Sequence, residues 1–216
     1  MQQRTPASTK RRRWQFSLRA LLGTMLVVSA LFGWLAVAMK HSREEHLAAA
    51  EIRRLGGTAM HCHQYDAKDP SWLSEVDWPR RILGDDFFVT INYVSLQNSD
   101  ITDADLVHLR ALPHLQALHL NRCSITDDSL AGIGRLSKLE QLSLGQTKIT
   151  DNGLSQLARL LELEVLRLQK TSVSDAGLRT LRSLPQLRDV DVTKTAVTEQ
   201  GIAALTESGR EIKIRQ

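Results

Sequence analysis

The stretch LQALHLNRCSITDDSLAGIGRLSK, residues 115–138, runs without a gap into LEQLSLGQTKITDNGLSQLARLLE, residues 139–162. Aligned, the two place Leu or Ile on Leu or Ile at positions one, four, six, eleven, sixteen, nineteen and twenty-two. The same 24-residue unit begins again at 91, 163 and 187, so that five copies stand in register from Ile91 onward. The first position reads Ile91, Leu115, Leu139, Leu163 and Leu187. The fourth reads Val94, Leu118, Leu142, Leu166 and Val190, and the sixth Leu96, Leu120, Leu144, Leu168 and Val192. Positions four and six are two apart, so on an extended strand both side chains point the same way. Position sixteen (Leu106, Leu130, Leu154, Leu178, Ile202) and position nineteen (Leu109, Ile133, Leu157, Leu181, Leu205) are three apart, as on one face of a helix. One strand and one helix cannot bury both apolar faces alone. Stacked copies can, with strands about 4.8 Å apart in a parallel sheet and helices on the outside.

The pattern resembles the leucine-rich repeat, L-x-x-L-x-L followed by a small residue and a helix. The ITD-x-x-L segment is similar to the cysteine-containing subclass, known from F-box proteins that select ubiquitination targets. Cys123 stands at the ninth position, where the subclass has its cysteine, but Ser99, Thr147, Thr171 and Thr195 fill it elsewhere. An anchor ahead of a short array resembles bacterial membrane-attached repeat proteins. The resemblance implies an α/β leucine-rich-repeat solenoid over residues 91–216, with a short curved parallel sheet inside and helices outside. It also implies protein–protein interaction rather than catalysis. Ile212 and Ile214 are expected to form a last strand that closes the array.

Two further columns invite a ligand reading. Thr102, Thr126, Thr150, Ser174 and Thr198 precede each helix, followed by Asp103, Asp127, Asp151, Asp175 and Glu199. A row of acids suggests calcium, yet a hydroxyl at the helix start and an acid facing the positive helix end account for the same pattern. The ninth-position column reads as internal, its hydroxyl or thiol bonding the backbone of the turn.

Ahead of the array the chain changes character. Of its 216 residues 42% are hydrophobic and 24% charged, a balance that suits a folded chain. The net charge of +4 arises in residues 1–19, which carry six Lys/Arg and no acid. The rest is net acidic, which argues against a nucleic-acid partner. Residues 20–39, ALLGTMLVVSALFGWLAVAM, hold no formal charge over about 30 Å of helix, roughly one hydrocarbon thickness. The run exceeds the apolar core of a cleaved signal peptide, and it lacks the polar stripe of a soluble helix. We read it as a transmembrane signal-anchor behind a basic cytoplasmic tail, residues 1–19. The basic flank keeps the N-terminus inside and the repeat body extracytoplasmic. The expected localisation is the inner or plasma membrane, single-pass.

Residues 40–57 read as a neck helix, with a capping-box spacing at Ser42 and Glu45 and a stop at Gly56-Gly57. Residues 58–90 read as the N-terminal cap of the array, because aromatic residues such as Trp72, Trp78, Phe87 and Phe88 gather there. His61-Cys62-His63 suggests a metal, but neighbours on a strand point to opposite faces, and an edge strand is the plainer reading.

The third, fifth and seventh positions face away from the core and define the concave surface. Its expected binding residues are Tyr93, Ser95, Gln97, His119, Asn121, Gln141, Ser143, Arg167, Gln169, Asp189, Asp191 and Thr193. No G-x-x-x-x-G-K-[ST], H-E-x-x-H, G-x-S-x-G or C-x-x-C motif occurs, so neither an enzyme nor a cofactor or metal site is expected. The expected partners are a protein ligand at this face and the lipid bilayer around residues 20–39. Two other readings exist: a structural part of a membrane or envelope assembly, and an F-box-like substrate receptor if the topology is reversed.

Overall fold

The computed structural model describes residues 18–60, 90–206 and 211–216. The chain divides between Lys40 and His41 into two compact units.

In the first unit the apolar run is helical, the opening part of α1 (Leu18–Arg54). Its large side chains lie bare: Leu26 is 71% exposed, Phe32 68% and Trp34 64%. That exposure separates it from a core helix. By length and composition it is a candidate to cross a membrane. Ser29 inside it returns its hydroxyl to the Leu26 carbonyl at 2.9 Å, which keeps the polar atom satisfied.

The second unit opens with the last turns of α1. No break separates the neck from the apolar run, and the capping box expected at Ser42 and Glu45 is not formed. Ser42 lies inside a continuous helix, where the N–H groups it would cap are already bonded to the preceding turn. Ala48, Ala49 and Ile52 are buried in the same core as the repeats, so this segment is docked on the body. The helix stops as the double glycine predicts. Gly57 N–H donates to the Ile52 carbonyl at 2.9 Å and Gly56 N–H to Arg53 at 3.0 Å. Gly56 sits at φ +80°, the left-handed position of a Schellman cap. Gly57 has a different reason: a Cβ there would fall 2.9 Å from the Ser95 carbonyl oxygen.

Strand β1 (Thr58–Met60) pairs antiparallel with β2 (Tyr93–Ser95), matching Ala59 to Val94. From there the sheet is parallel and sequential: β3 (Ala117–His119), β4 (Gln141–Ser143), β5 (Val165–Arg167), β6 (Asp189–Asp191) and β7 (Lys213–Arg215). Each strand meets the next at a shift of one repeat. Val94 faces Leu118, then Leu142, Leu166, Val190 and Ile214. The final strand expected from Ile212 and Ile214 therefore forms. Of the cap expected at 58–90, only β1 and Thr90 lie within the described residues. His61-Cys62-His63 and the aromatic cluster lie outside them.

The return side of each repeat is less regular than the sequence suggests. Repeat one has a 3₁₀ helix, Asp105–Ala111. Later repeats have α2 (Asp127–Ile133), α3 (Asp151–Leu154) continued as 3₁₀ over Ser155–Arg159, α4 (Asp175–Thr180) continued over Leu181–Ser183, and α5 (Glu199–Thr206). Side chains three apart eclipse in a 3₁₀ helix, which suits leucines at positions sixteen, nineteen and twenty-two. Leu154, Leu157 and Leu160 are each 1% exposed or less.

One regularity escapes the hydrophobic pattern. Asn98, Arg122, Gln146, Lys170 and Lys194, all at position eight, take φ between 57° and 59°. Asn98, Arg122, Gln146 and Lys170 each close the strand with a backbone bond to the next repeat, as Lys170 N–H to the Thr193 carbonyl at 2.8 Å. The ninth-position hydroxyls then tie the turn: Thr147, Thr171 and Thr195 each donate to the carbonyl three residues back at 2.6 Å. Cys123 departs, its thiol reaching one repeat back to the Leu96 carbonyl at 3.0 Å.

The acid column also does more than face its own helix. Asp103 accepts from both the N–H and the hydroxyl of Thr126 at 2.8 and 2.7 Å. Asp127 does the same to Thr150, Asp151 to Ser174 and Asp175 to Thr198. Each carboxylate ties its repeat to the next. The cap bonds from those hydroxyls to their own helices are longer, at 3.4 Å for Asp128 N–H on Thr126 and 3.2 Å for Ala176 N–H on Ser174.

Candidate functional site

The register sets the open face of the sheet in two rows. Through third positions runs Met60, Tyr93, Ala117, Gln141, Val165, Asp189, Lys213. Through fifth positions runs Thr58, Ser95, His119, Ser143, Arg167, Asp191, Arg215. Gln97, Asn121, Gln169 and Thr193 continue it past the strand ends. The face divides into three parts.

At the β2 end, Tyr93 and His119 meet edge to face, ring centroids 5.3 Å apart at 69°. The Gln97 amide nitrogen lies 3.1 Å from His119 Nδ1 and the Tyr93 hydroxyl 3.5 Å from it. With the proton on Nε2, Nδ1 accepts from the Gln97 amide, which also donates to Ser95 Oγ at 3.3 Å. Burial holds the His119 imidazole below its ordinary range, because charging it would require solvation the pocket does not supply.

The middle is a low saddle. Ala117, Ser143 and Gly145 are buried, so Ser143 lies on the expected face as its floor rather than as an exposed contact. Asn121 spends its carbonyl oxygen on Gly145 N–H at 2.8 Å. The Gln169 amide lies over Gly145, where a Cβ would fall 2.3 Å from its Cδ. Glycine admits that close approach without displacing the Gln169 side chain. The Gln169 Oε1 is enclosed and has no donor among the described residues. Gln141 remains half-buried at the saddle's rim.

At the β7 end charge takes over. Arg167 grips Asp189 with two nitrogens at 3.1 and 3.0 Å, and Arg215 joins the same carboxylate at 3.3 Å. Asp191 accepts from the Thr193 N–H and hydroxyl at 3.0 and 2.6 Å.

The structure thus joins Tyr93, Ser95, Gln97 and His119 into one cluster and Arg167 and Asp189 into another. Asn121 and Thr193 turn toward backbone or neighbouring groups. Four residues of this face were not expected from the sequence. Lys213 and Arg215 are third and fifth in a sixth frame beginning at Glu211, so the period itself carried their signal. Thr58 and Met60 join by antiparallel pairing, which no period announces. Among the described residues, no three His, Cys, Asp or Glu side chains converge to hold a metal ion. Cys123 is 4% exposed, and burial pushes its thiol up, away from the reactive thiolate.

Comparisons with known proteins bear on the fold. Residues 111–134 and 135–158 match the family model described as Leucine Rich repeat. Among curated proteins, none matches the chain. A leucine-rich-repeat protein of Leptospira interrogans is similar at 21% identity and TM-score 0.40, over 51% of this chain and 27% of that one. An internalin of Listeria monocytogenes is similar at 18% identity and TM-score 0.38, over 56% of this chain and 39% of that one. Internalin C2 of the same organism is similar at 18% identity and TM-score 0.34, over 58% of this chain and 80% of that one. Each matched segment is one 24-residue interval of the observed stack, and residues 111–158 are leucine-rich repeats.

Proposed function

We propose that the protein is a membrane-tethered, non-enzymatic interaction module whose open sheet face binds a protein ligand. The observation that supports it most is a contrast within each strand. The inward columns are Leu, Ile or Val in every repeat and fully buried, while the outward residues differ from strand to strand. Core packing does not dictate that variety, so the outward set is available for recognition. Such a surface is rigid before binding, which lowers the cost of association. On the order of 500–800 Å² of it is usable, at or below the size of a standard interface, which favours weak or transient binding. Tethering by the apolar stretch of α1 offsets weak affinity by raising local concentration.

A photo-crosslinking amino acid at Gln141, in cells, tests the face. Discrete adducts are expected, and Tyr93→Ala with His119→Ala should abolish them. Adducts from Val107, on the return side, that survive those changes would instead assign the contacts to an envelope-assembly role. A reporter fused after Gln216 tests the topology: extracytoplasmic activity supports the tether, and cytoplasmic activity supports the F-box-like receptor reading.

A further inference from the structure

The two edges of the array differ in how they handle charge. Where helices lead into strands, charges pair across repeats: Lys138 with Glu162 at 2.6 Å and Arg188 with Glu164 at 2.9 Å. Where strands lead into helices, Arg122, Lys148, Lys170 and Lys194 are exposed, and none has a carboxylate partner among the described residues. Positions seven to eleven of repeats two to five contain no acid. Of the carboxylates that follow, Asp127, Asp151 and Asp175 are each taken by the hydroxyl and N–H of the next repeat, while Asp128 and Glu199 are exposed at the helix starts.

Three of those four cations stand at the left-handed position eight. Glycine or asparagine would occupy it with less strain. At Arg122 and Lys170 the backbone is pinned by its bond to the next repeat, so those side chains leave from fixed points. An open groove of about 620 Å³ runs between Arg122, Lys148 and Lys170, with Cys123 and Thr147 among its lining. Successive cations are set about one strand spacing apart, on the order of 5 Å, so the row from Arg122 to Lys194 matches about five residues of extended chain. An extended acidic chain lays successive carboxylates along such a row, so charge complementarity and spacing together select it.

We propose that the strand-to-helix edge, through Arg122, Lys148, Lys170 and Lys194, binds an extended acidic segment of a protein partner. This surface is separate from the open sheet face and does not depend on it.

The test uses the full chain in uncharged detergent micelles, with Lys10, Arg11, Arg12 and Arg13 replaced by Gln so that the basic tail does not capture the probe. The probe is a fluorescent ten-residue peptide of alternating Glu and Ser, followed by anisotropy at low salt. Binding that weakens as salt is added, and at least about tenfold on Lys148→Gln/Lys170→Gln/Lys194→Gln, is the expected result. Circular dichroism on that variant checks that the exposed changes leave the fold intact. No peptide binding, or equal binding by the variant, overturns the proposal. So does inorganic polyphosphate of matched charge binding as tightly through the same lysines, which would assign the edge to phosphate surfaces.

Discussion

The carboxylate of Asp151 accepts both the N–H and the hydroxyl of Ser174, one repeat further on, at 2.7 and 2.6 Å. The same pair of bonds recurs from Asp103, Asp127 and Asp175. It is a seam of side-chain bonds beside the leucine core, and it joins neighbouring repeats rather than residues of one repeat. In a stacked array, stability is close to a sum of unit and interface contributions. Asp151→Ala should therefore cost about 1–3 kcal/mol, since the buried-side donors of Ser174 lose a charged acceptor. Urea unfolding followed by circular dichroism measures it. A loss below a few tenths of a kcal/mol would remove the seam from any account of stability.

That seam explains a glycine column and reverses a familiar rule. A Cβ on Gly177 would lie 2.3 Å from Asp151 Oδ1, whereas nothing lies within 4 Å of one on Gly132. Both residues are helical. Gly132→Ala should stabilise by about 0.5–1 kcal/mol, through a less flexible unfolded chain. Gly177→Ala should destabilise by about 1–3 kcal/mol, through overpacking against the carboxylate. Opposite shifts in thermal midpoint are the expected reading, and shifts of one sign would refute the contact.

The left-handed turn at position eight sets a third expectation. Gln146 has φ 58° and no glycine's freedom. Replacement by valine, whose branched Cβ is poorly tolerated there, should destabilise by about 1–3 kcal/mol. Gln146→Gly should stay within about 1 kcal/mol of the parent, relief of strain being offset by entropy. Chemical denaturation of the pair of variants distinguishes a turn constraint from a simple loss of side chain.

Acid should loosen the aromatic end of the open face. The folded imidazole of His119 is lowered by burial, so between pH 7.5 and 5.5 the unfolded chain takes up a proton first, near its ordinary value of about 6.5. Its contribution is thus fully present above that value and falls as pH drops toward the folded value. Protonation also removes the Nδ1 acceptor from Gln97. His119→Gln should flatten this part of the stability–pH curve. An unchanged slope would show that the imidazole is solvated in the folded state.

Much of the solenoid was legible in the amino-acid order, because its contacts repeat at a fixed interval. The columns through Val94 and Leu106 specify strand, helix and stacking, since burying both faces of one short unit requires a neighbour. The apolar run at 20–39 and the stop at Gly56 were equally local, a matter of length and of backbone freedom. Only the tertiary structure showed that Asp151, in the first turn of its own helix, also serves Ser174, because that partnership depends on how closely two repeats approach. It also decided that Met60 joins the open sheet face beside Tyr93 and that Ser143 forms its floor. Antiparallel pairing and burial under neighbouring side chains are relations between distant parts of the chain, and no period within a single strand encodes them.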